Sequence, residues 1–163
     1  MTKPDYRIEI SLPSQTLRLK SGEHVVREYP VSTAANGAGE RRDSLCTPRG
    51  RHVISDKIGA GCAPDTVFVG RRPTGEVYRP DLRDSHPGRD WILTRILRLE
   101  GLEDGVNRGG EVDTRERHIY IHGAPDDVPM GRPGSHGCIR MGNADILELF
   151  DLVETGTPVF ISG

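Results

Sequence analysis

Apolar and polar positions alternate with a period of two along much of this 163-residue chain, and that alternation predicts strands. YRIEI (Tyr6 to Ile10) and TLRLK (Thr16 to Lys20) show it clearly, with Pro13 and Ser14 in the break between them. HVVREYPVS (His24 to Ser32) follows the Ser21-Gly22 turn, so the three segments read as an antiparallel meander. A loop rich in glycine and charge runs from Thr33 to Cys46, then TPRG turns the chain into a strand at His52 to Ile54. TVFVG (Thr66 to Gly70) and WILTRILRL (Trp91 to Leu99) are read as further strands, the second apolar enough to be buried. RHIYIHG is expected to carry His118, Tyr120 and His122 on one face and Ile119 and Ile121 on the other.

A helical period is convincing only once. Ile146, Leu147, Leu149, Phe150 and Val153 form one broad stripe, with Asn143 placed as an N-cap and Gly156 as the C-terminal glycine. TPVFISG supplies a closing strand, while Pro73 to Trp91, dense in Pro, Gly and Asp, reads as an irregular excursion over the surface. The expectation is a mainly β single domain over residues 1–163, a sandwich or barrel, with one helix near the C-terminus.

Composition narrows the function classes. The net charge of −2 gives no electrostatic case for binding nucleic acid. The arginines Arg71, Arg72, Arg79, Arg83, Arg89, Arg95 and Arg98 are spread out and are read as a solvated surface. No run approaches the roughly 20 apolar residues of a membrane span. MTKPDYRIEI passes from a charged start straight into a strand pattern without the apolar stretch of a secretory signal. The expected location is therefore the cytoplasm, or the periplasm if the sequence is a processed or truncated piece. Cys46, Cys62 and Cys138, three cysteines at wide spacing, do not form a disulfide framework.

The candidate chemistry lies in GSHGCIRM, Gly134 to Met141. A thiol attacks only as thiolate and needs a base or a positive field beside it. His136 is two residues from Cys138, and His122 ends a strand just before Gly123; either could take the thiol proton and return it to a leaving amine. Gly137 permits an unusual backbone angle that would leave the Gly137 and Cys138 amides free for an oxyanion. Arg140 could clamp a substrate carboxylate. A phosphatase would need arginine six residues after the thiol, where Ala144 stands, and a papain-like order would put the histidine after the cysteine. A small buried thiol, and a zinc site of His122, His136 and Cys138, remain open at this level.

IHG…SHGCIRM resembles the signature of the L,D-transpeptidase catalytic domain, also called YkuD, and YPVSTA, TPRG, WILTRILRLEGLE, RHIYIHG and GTPVFI extend the resemblance along essentially the whole chain. The resemblance implies a cysteine acyltransferase of peptidoglycan metabolism that cleaves the L,D bond between the third-position diamino acid and the terminal D-alanine of a stem tetrapeptide. Cys138 matches the nucleophile, His122 the proton donor and acceptor, His136 and Gly137 the motif that shapes the oxyanion hole, and Ser135, Gly123 and Arg140 the substrate side. No metal or organic cofactor is expected; the partners are a tetrapeptide or muropeptide, with carbapenems as covalent inhibitors. Ala124 departs from the frequent Thr or Ser, and the loop from His122 to Ser135 is shorter than usual. Short members without a signal act as L,D-carboxypeptidases on recycled tetrapeptides, so hydrolysis is expected first and 3-3 cross-linking or D-amino acid exchange second. A domain that keeps the fold as an inactive binding module is the alternative from another class.

Overall fold

The computed structural model describes residues 4–163. Ten strands run in chain order: β1 (Tyr6–Ser11), β2 (Thr16–Ser21), β3 (His24–Pro30), β4 (Gly50–Ile58), β5 (Thr66–Val69), β6 (Arg72–Val77), β7 (Ile92–Gly101), β8 (Tyr120–Gly123), β9 (Ile139–Met141) and β10 (Pro158–Ser162). Two α-helices join them, α1 (Pro80–Ser85) between β6 and β7 and α2 (Asn143–Leu152) between β9 and β10.

The strands form one mixed sheet. Its path runs β3-β2-β1-β10-β4-β7, and β7 then pairs with β5 at Ile92 and Leu93 and with β8 along its other edge. The expected meander of β1, β2 and β3 is antiparallel throughout. Two pairings are parallel, β1 with β10 and β8 with β9. Beyond β3 the chain meets the far end of the path: Ser32 donates to the Arg140 carbonyl at 2.9 Å and accepts from the Arg140 N–H at 2.9 Å. That exchange closes a ring, so of sandwich and barrel it is the barrel that describes the hydrogen bonding.

The period of two explains the core. Ile8, Ile10, Leu17, Leu19, Ile54, Leu97, Leu99, Ile121, Ile139, Val159 and Ile161 all face inward, where Ile146, Leu149 and Phe150 of α2 meet them. At roughly 1.5–3 kcal/mol for each fully buried aliphatic side chain, this interior dominates the favourable side of folding. A smaller cluster of Phe68, Ile96 and Tyr120, with Cys138 packed against it, lies outside the main core.

Several expectations change. The excursion at Pro73 to Trp91 contains strand β6 and helix α1; Pro73 and Gly75 disguise β6 because an edge strand tolerates both, and Pro80 opens α1 in the first turn, where no N–H is needed. His118 stands outside β8 with φ +57°, so the expected long strand begins only at Tyr120. Asn143 is the first helical residue, not the N-cap, which is Gly142. Its amide nitrogen donates to Ala124 O and Asp65 Oδ1 at 2.9 Å each, and its oxygen accepts from Thr94 Oγ1, so the side chain ties the start of α2 to the β7 bulge. Gly156 lies past the end of α2 and turns the chain into β10, donating to Ile54 O at 2.8 Å. The dispersed arginines are not one solvated surface either, because Arg95 and Arg98 are buried.

Candidate active site

The pairing of β8 with β9 brings the motif residues together. Ile121 pairs with Ile139 and His122 with Arg140, both isoleucines facing the core. Alternation therefore sends Tyr120, His122 and Cys138 to the opposite face, with Cys138 beside Tyr120 and one diagonal step from His122. The segment from Ala124 to Gly137 makes the crossover that a parallel pair requires.

The turn before Cys138 is held from three sides. Gly137 has φ +130°, and a Cβ there would come within 3.1 Å of Ile119 Cδ1 and 3.2 Å of Cys46 O. The buried Thr47 hydroxyl donates to Gly137 O at 2.8 Å and accepts from Ala34 N at 3.0 Å. Ser135 Oγ donates to Cys138 O at 2.6 Å and accepts from Gly137 N at 3.1 Å. The Gly137 amide is thus engaged within the turn, contrary to the expectation of two free amides, which leaves the Cys138 N–H as the candidate oxyanion donor.

The His122 ring is buried, and its Nδ1 lies 2.6 Å from Gly123 O. A carbonyl only accepts, so Nδ1 carries the proton and the neutral ring presents Nε2 as a bare acceptor. Nε2 has no hydrogen-bond partner among the described residues. Burial holds the imidazole below its usual range, against the opposing pull of Gly123 O and Asp90. Cys138 is partly exposed; its sulfur accepts from Tyr120 N at 3.3 Å and donates to His118 O at 3.4 Å. Burial pushes the thiol up to about 12, with the Tyr120 N–H and the charges of Arg140 and Arg117 working the other way. The imidazole and the thiol share a face, but no hydrogen bond joins them in this arrangement.

Beside the sulfur opens a cleft of about 420 Å³, lined by Arg71, Asp90, Arg117, Tyr120, His136 and Cys138, among others. His136 is exposed at its rim. Arg140, the register partner of His122 on the same face, donates to Gly134 O at 3.1 Å and Asp90 Oδ1 at 3.3 Å and lines a second cavity of about 160 Å³ with Arg83, Arg89 and Trp91, with Asp90 on the wall of both. Ser135 and Gly123, placed on the substrate side from the sequence, are buried and shape the scaffold: a Cβ on Gly123 would sit 2.6 Å from Leu93 O. Among the described residues no group of three or more His, Cys, Asp or Glu is placed to hold a metal ion, so His122, His136 and Cys138 do not make a zinc cage.

Sequence reasoning missed Asp90, Arg117 and Arg71. Asp90 touches both cavities and is followed by the buried Trp91, which anchors it. The Arg117 guanidinium donates to the carbonyls of Gly39, Glu40 and Cys46, pinning the loop behind Gly137. No local pattern marks either residue, because distant segments bring them to the sulfur.

A model of the L,D-transpeptidase catalytic domain, YkuD, matches residues 5–161. A protein of Bacillus licheniformis that bears the name L,D-transpeptidase YkuD is 29% identical over 158 residues, covering 96% of this chain and 66% of its own. Its Bacillus subtilis counterpart is 24% identical with the same coverage of each chain. Among solved structures, an L,D-transpeptidase from Mycobacterium smegmatis has a TM-score of 0.55 at 20% identity, covering 98% of this chain and 59% of its own. L,D-transpeptidase 3 of Mycobacterium tuberculosis with a faropenem-derived adduct has a TM-score of 0.59 at 18% identity, covering 98% of this chain and 61% of its own. At that identity the structures show a shared fold. The chain spans about two thirds of the length of the curated relatives it matches.

Proposed function

Because the chain belongs to the L,D-transpeptidase catalytic domain family, we propose that it transfers the acyl group of a peptidoglycan stem peptide through a thioester on Cys138. The observation that carries this is the juxtaposition on the β8–β9 face: a thiol on the wall of a cleft, one diagonal step from a neutral imidazole whose Nε2 is bare. In the reaction the Cys138 side chain turns from His118 O toward Nε2, which takes its proton as the sulfur attacks the carbonyl of the third stem residue. His122 then gives that proton to the departing D-alanine amine. The Cys138 N–H faces the developing oxyanion, worth roughly 3 kcal/mol for one such donor. His122 next takes a proton from the acceptor that resolves the thioester, and the thiol is restored.

Water is the acceptor this reading favours, making the chain an L,D-carboxypeptidase. The cleft of about 420 Å³ lies within the roughly 300–1,000 Å³ of small-ligand sites and has room for the end of one stem. Such an enzyme works on released tetrapeptide in the cytoplasm. The M. tuberculosis relative carries a faropenem-derived adduct, and another relative is described as an avibactam carbamoyl enzyme. Covalent capture of Cys138 by a β-lactam is proposed for this chain on the same chemistry.

Mass spectrometry of a tetrapeptide muropeptide incubated with the protein, with and without excess D-amino acid, tests the reading. Tripeptide and free D-alanine mark hydrolysis, whereas exchanged tetrapeptide or a dimer marks transfer. Cys138→Ala is expected to abolish both; undiminished turnover in that folded variant ends the proposal.

A further inference from the structure

The hairpin between β5 and β6 turns in two residues, Gly70 and Arg71, with φ +57° and +65°. Val69 pairs with Arg72 across it, so this is the tight turn whose two central residues both need positive φ. Glycine, asparagine and aspartate suit such a position, and an arginine there is held at a conformational cost. A strained residue of that kind invites a functional account.

The side chain supplies one. Arg71 lines the cleft beside Cys138. Its Nη1 donates to Tyr120 Oη at 3.0 Å and lies 3.3 Å from His118 Nδ1. Both present partners are neutral: Tyr120 offers a hydroxyl, and His118 an acceptor nitrogen that Arg98 Nη2 also approaches at 3.3 Å. Cations outnumber acids here: Arg71, Arg98 and Arg115 face Asp56, with Glu116 near His118. Arg98 is buried, and its Nε has no hydrogen-bond partner among the described residues. Arg115 meets Asp56 only at 3.7 Å. Burial and the neighbouring Arg71, Arg98 and Arg115 keep His118 below its usual range, so it does not become a further cation at neutral pH. Among the described residues no carboxylate is hydrogen-bonded to Arg71.

We propose that the Arg71 guanidinium binds the free terminal carboxylate of the stem peptide whose preceding carbonyl Cys138 attacks, giving up its neutral partners for a charged one. This rests on the acyl-transfer reading of Cys138 and adds a substrate requirement to it: a free C-terminal acid. One residue beyond the scissile carbonyl spans about 3.5 Å of chain, and a charge-assisted hydrogen bond adds about 2.8 Å. Tyr120 links the two sites, its N–H donating to the sulfur at 3.3 Å and its hydroxyl accepting from Arg71 at 3.0 Å. Arg140, the arginine the sequence suggested for this task, is tied to Asp90 and lines the other cavity.

Tetrapeptide ending in a free acid, and the same peptide ending in a carboxamide, form the test. Wild type is expected to prefer the acid by about 10–100-fold in kcat/KM, the range of a hydrogen bond to a charged group. Arg71→Asn should raise KM for the acid about tenfold or more, with the smaller effect on kcat, and erase the preference. Because asparagine suits positive φ, the variant's melting temperature should equal or exceed that of wild type, an outcome a structural role would reverse. An acid preference unchanged in Arg71→Asn overturns the proposal. If wild type releases no D-alanine at all, the acyl-transfer reading fails; calorimetric binding of acid and amide to Cys138→Ala then judges the clamp, and equal affinities overturn it.

Discussion

The resting state of the nucleophile gives the sharpest test of the structure. Burial places the Cys138 thiol near 12 against an ordinary value of 9.0, and its S–H donates to His118 O. Each pH unit is a tenfold change in thiolate fraction, so at pH 8 about one ordinary thiol in ten is ionised and only about one Cys138 in ten thousand. Since only the thiolate alkylates, the free protein should react with iodoacetamide at Cys138 about a thousandfold more slowly than a simple thiol in the same buffer. Quantitative mass spectrometry of the Cys138 peptide across pH 6 to 11 reads this directly, with the rate still climbing tenfold per unit at the top of the range. His122→Ala should leave the slow rate nearly unchanged, because no hydrogen bond joins ring and thiol at rest, yet should cut D-alanine release by roughly 10²–10⁴-fold. Rapid alkylation at pH 7, or a plateau below pH 9, would refute the protonated resting thiol and with it the idea that proton transfer to His122 waits for substrate.

Two further outcomes follow from groups around the site. Thr47→Val keeps the shape but removes the hydroxyl that serves Gly137 O and Ala34 N, two buried groups; urea unfolding should show a loss of about 2–4 kcal/mol together with slower D-alanine release, and wild-type stability would count against the proposed hold on the turn. His52 is buried with Nε2 2.9 Å from Thr114 Oγ1, and burial lowers it from 6.5 to about 4. Its folded pKa is depressed, so the unfolded chain binds the proton first; stability is full above pH 6.5 and is lost as pH falls toward 4, by roughly 3 kcal/mol from this residue. Urea midpoints of wild type and His52→Gln between pH 7 and 4 check this, and parallel losses in both proteins would sink it.

What the sequence disclosed depended on whether a feature was local. The period of two in β1, β2 and the long β7 is a local consequence of facing a core, and it was readable. β6 was not, because an edge strand can carry Pro73 and Gly75 where an interior strand could not. Asn143 looked like a cap because caps and tertiary cross-links use the same side chain, and only the partners, Thr94 and Ala124, distinguish them. In the candidate site, His122, His136 and Cys138 stood out as a motif, whereas Arg71 looked like one surface arginine among many. Its positive φ comes with the β5–β6 hairpin, and its place beside Tyr120 exists only after β5 and β8 have both met β7.

The ring and the candidate site are also physically one arrangement. The bridge that closes the strand circuit pairs Ser32 with Arg140, two residues after Cys138. The neighbouring bridge, Ala34 with Ser135, fixes the start of the turn that presents the thiol. A short strand such as β9, three residues long, has too few ladder bonds to hold a register alone; Ser32 on one side and β8 on the other hold it. A slip of one residue would exchange the two faces, sending Ile139 outward and Cys138 into the core. The apolar pressure that keeps Ile121 and Ile139 inside therefore also keeps His122 and Cys138 on one surface, and the fold's stability and the site's geometry rest on the same pairing.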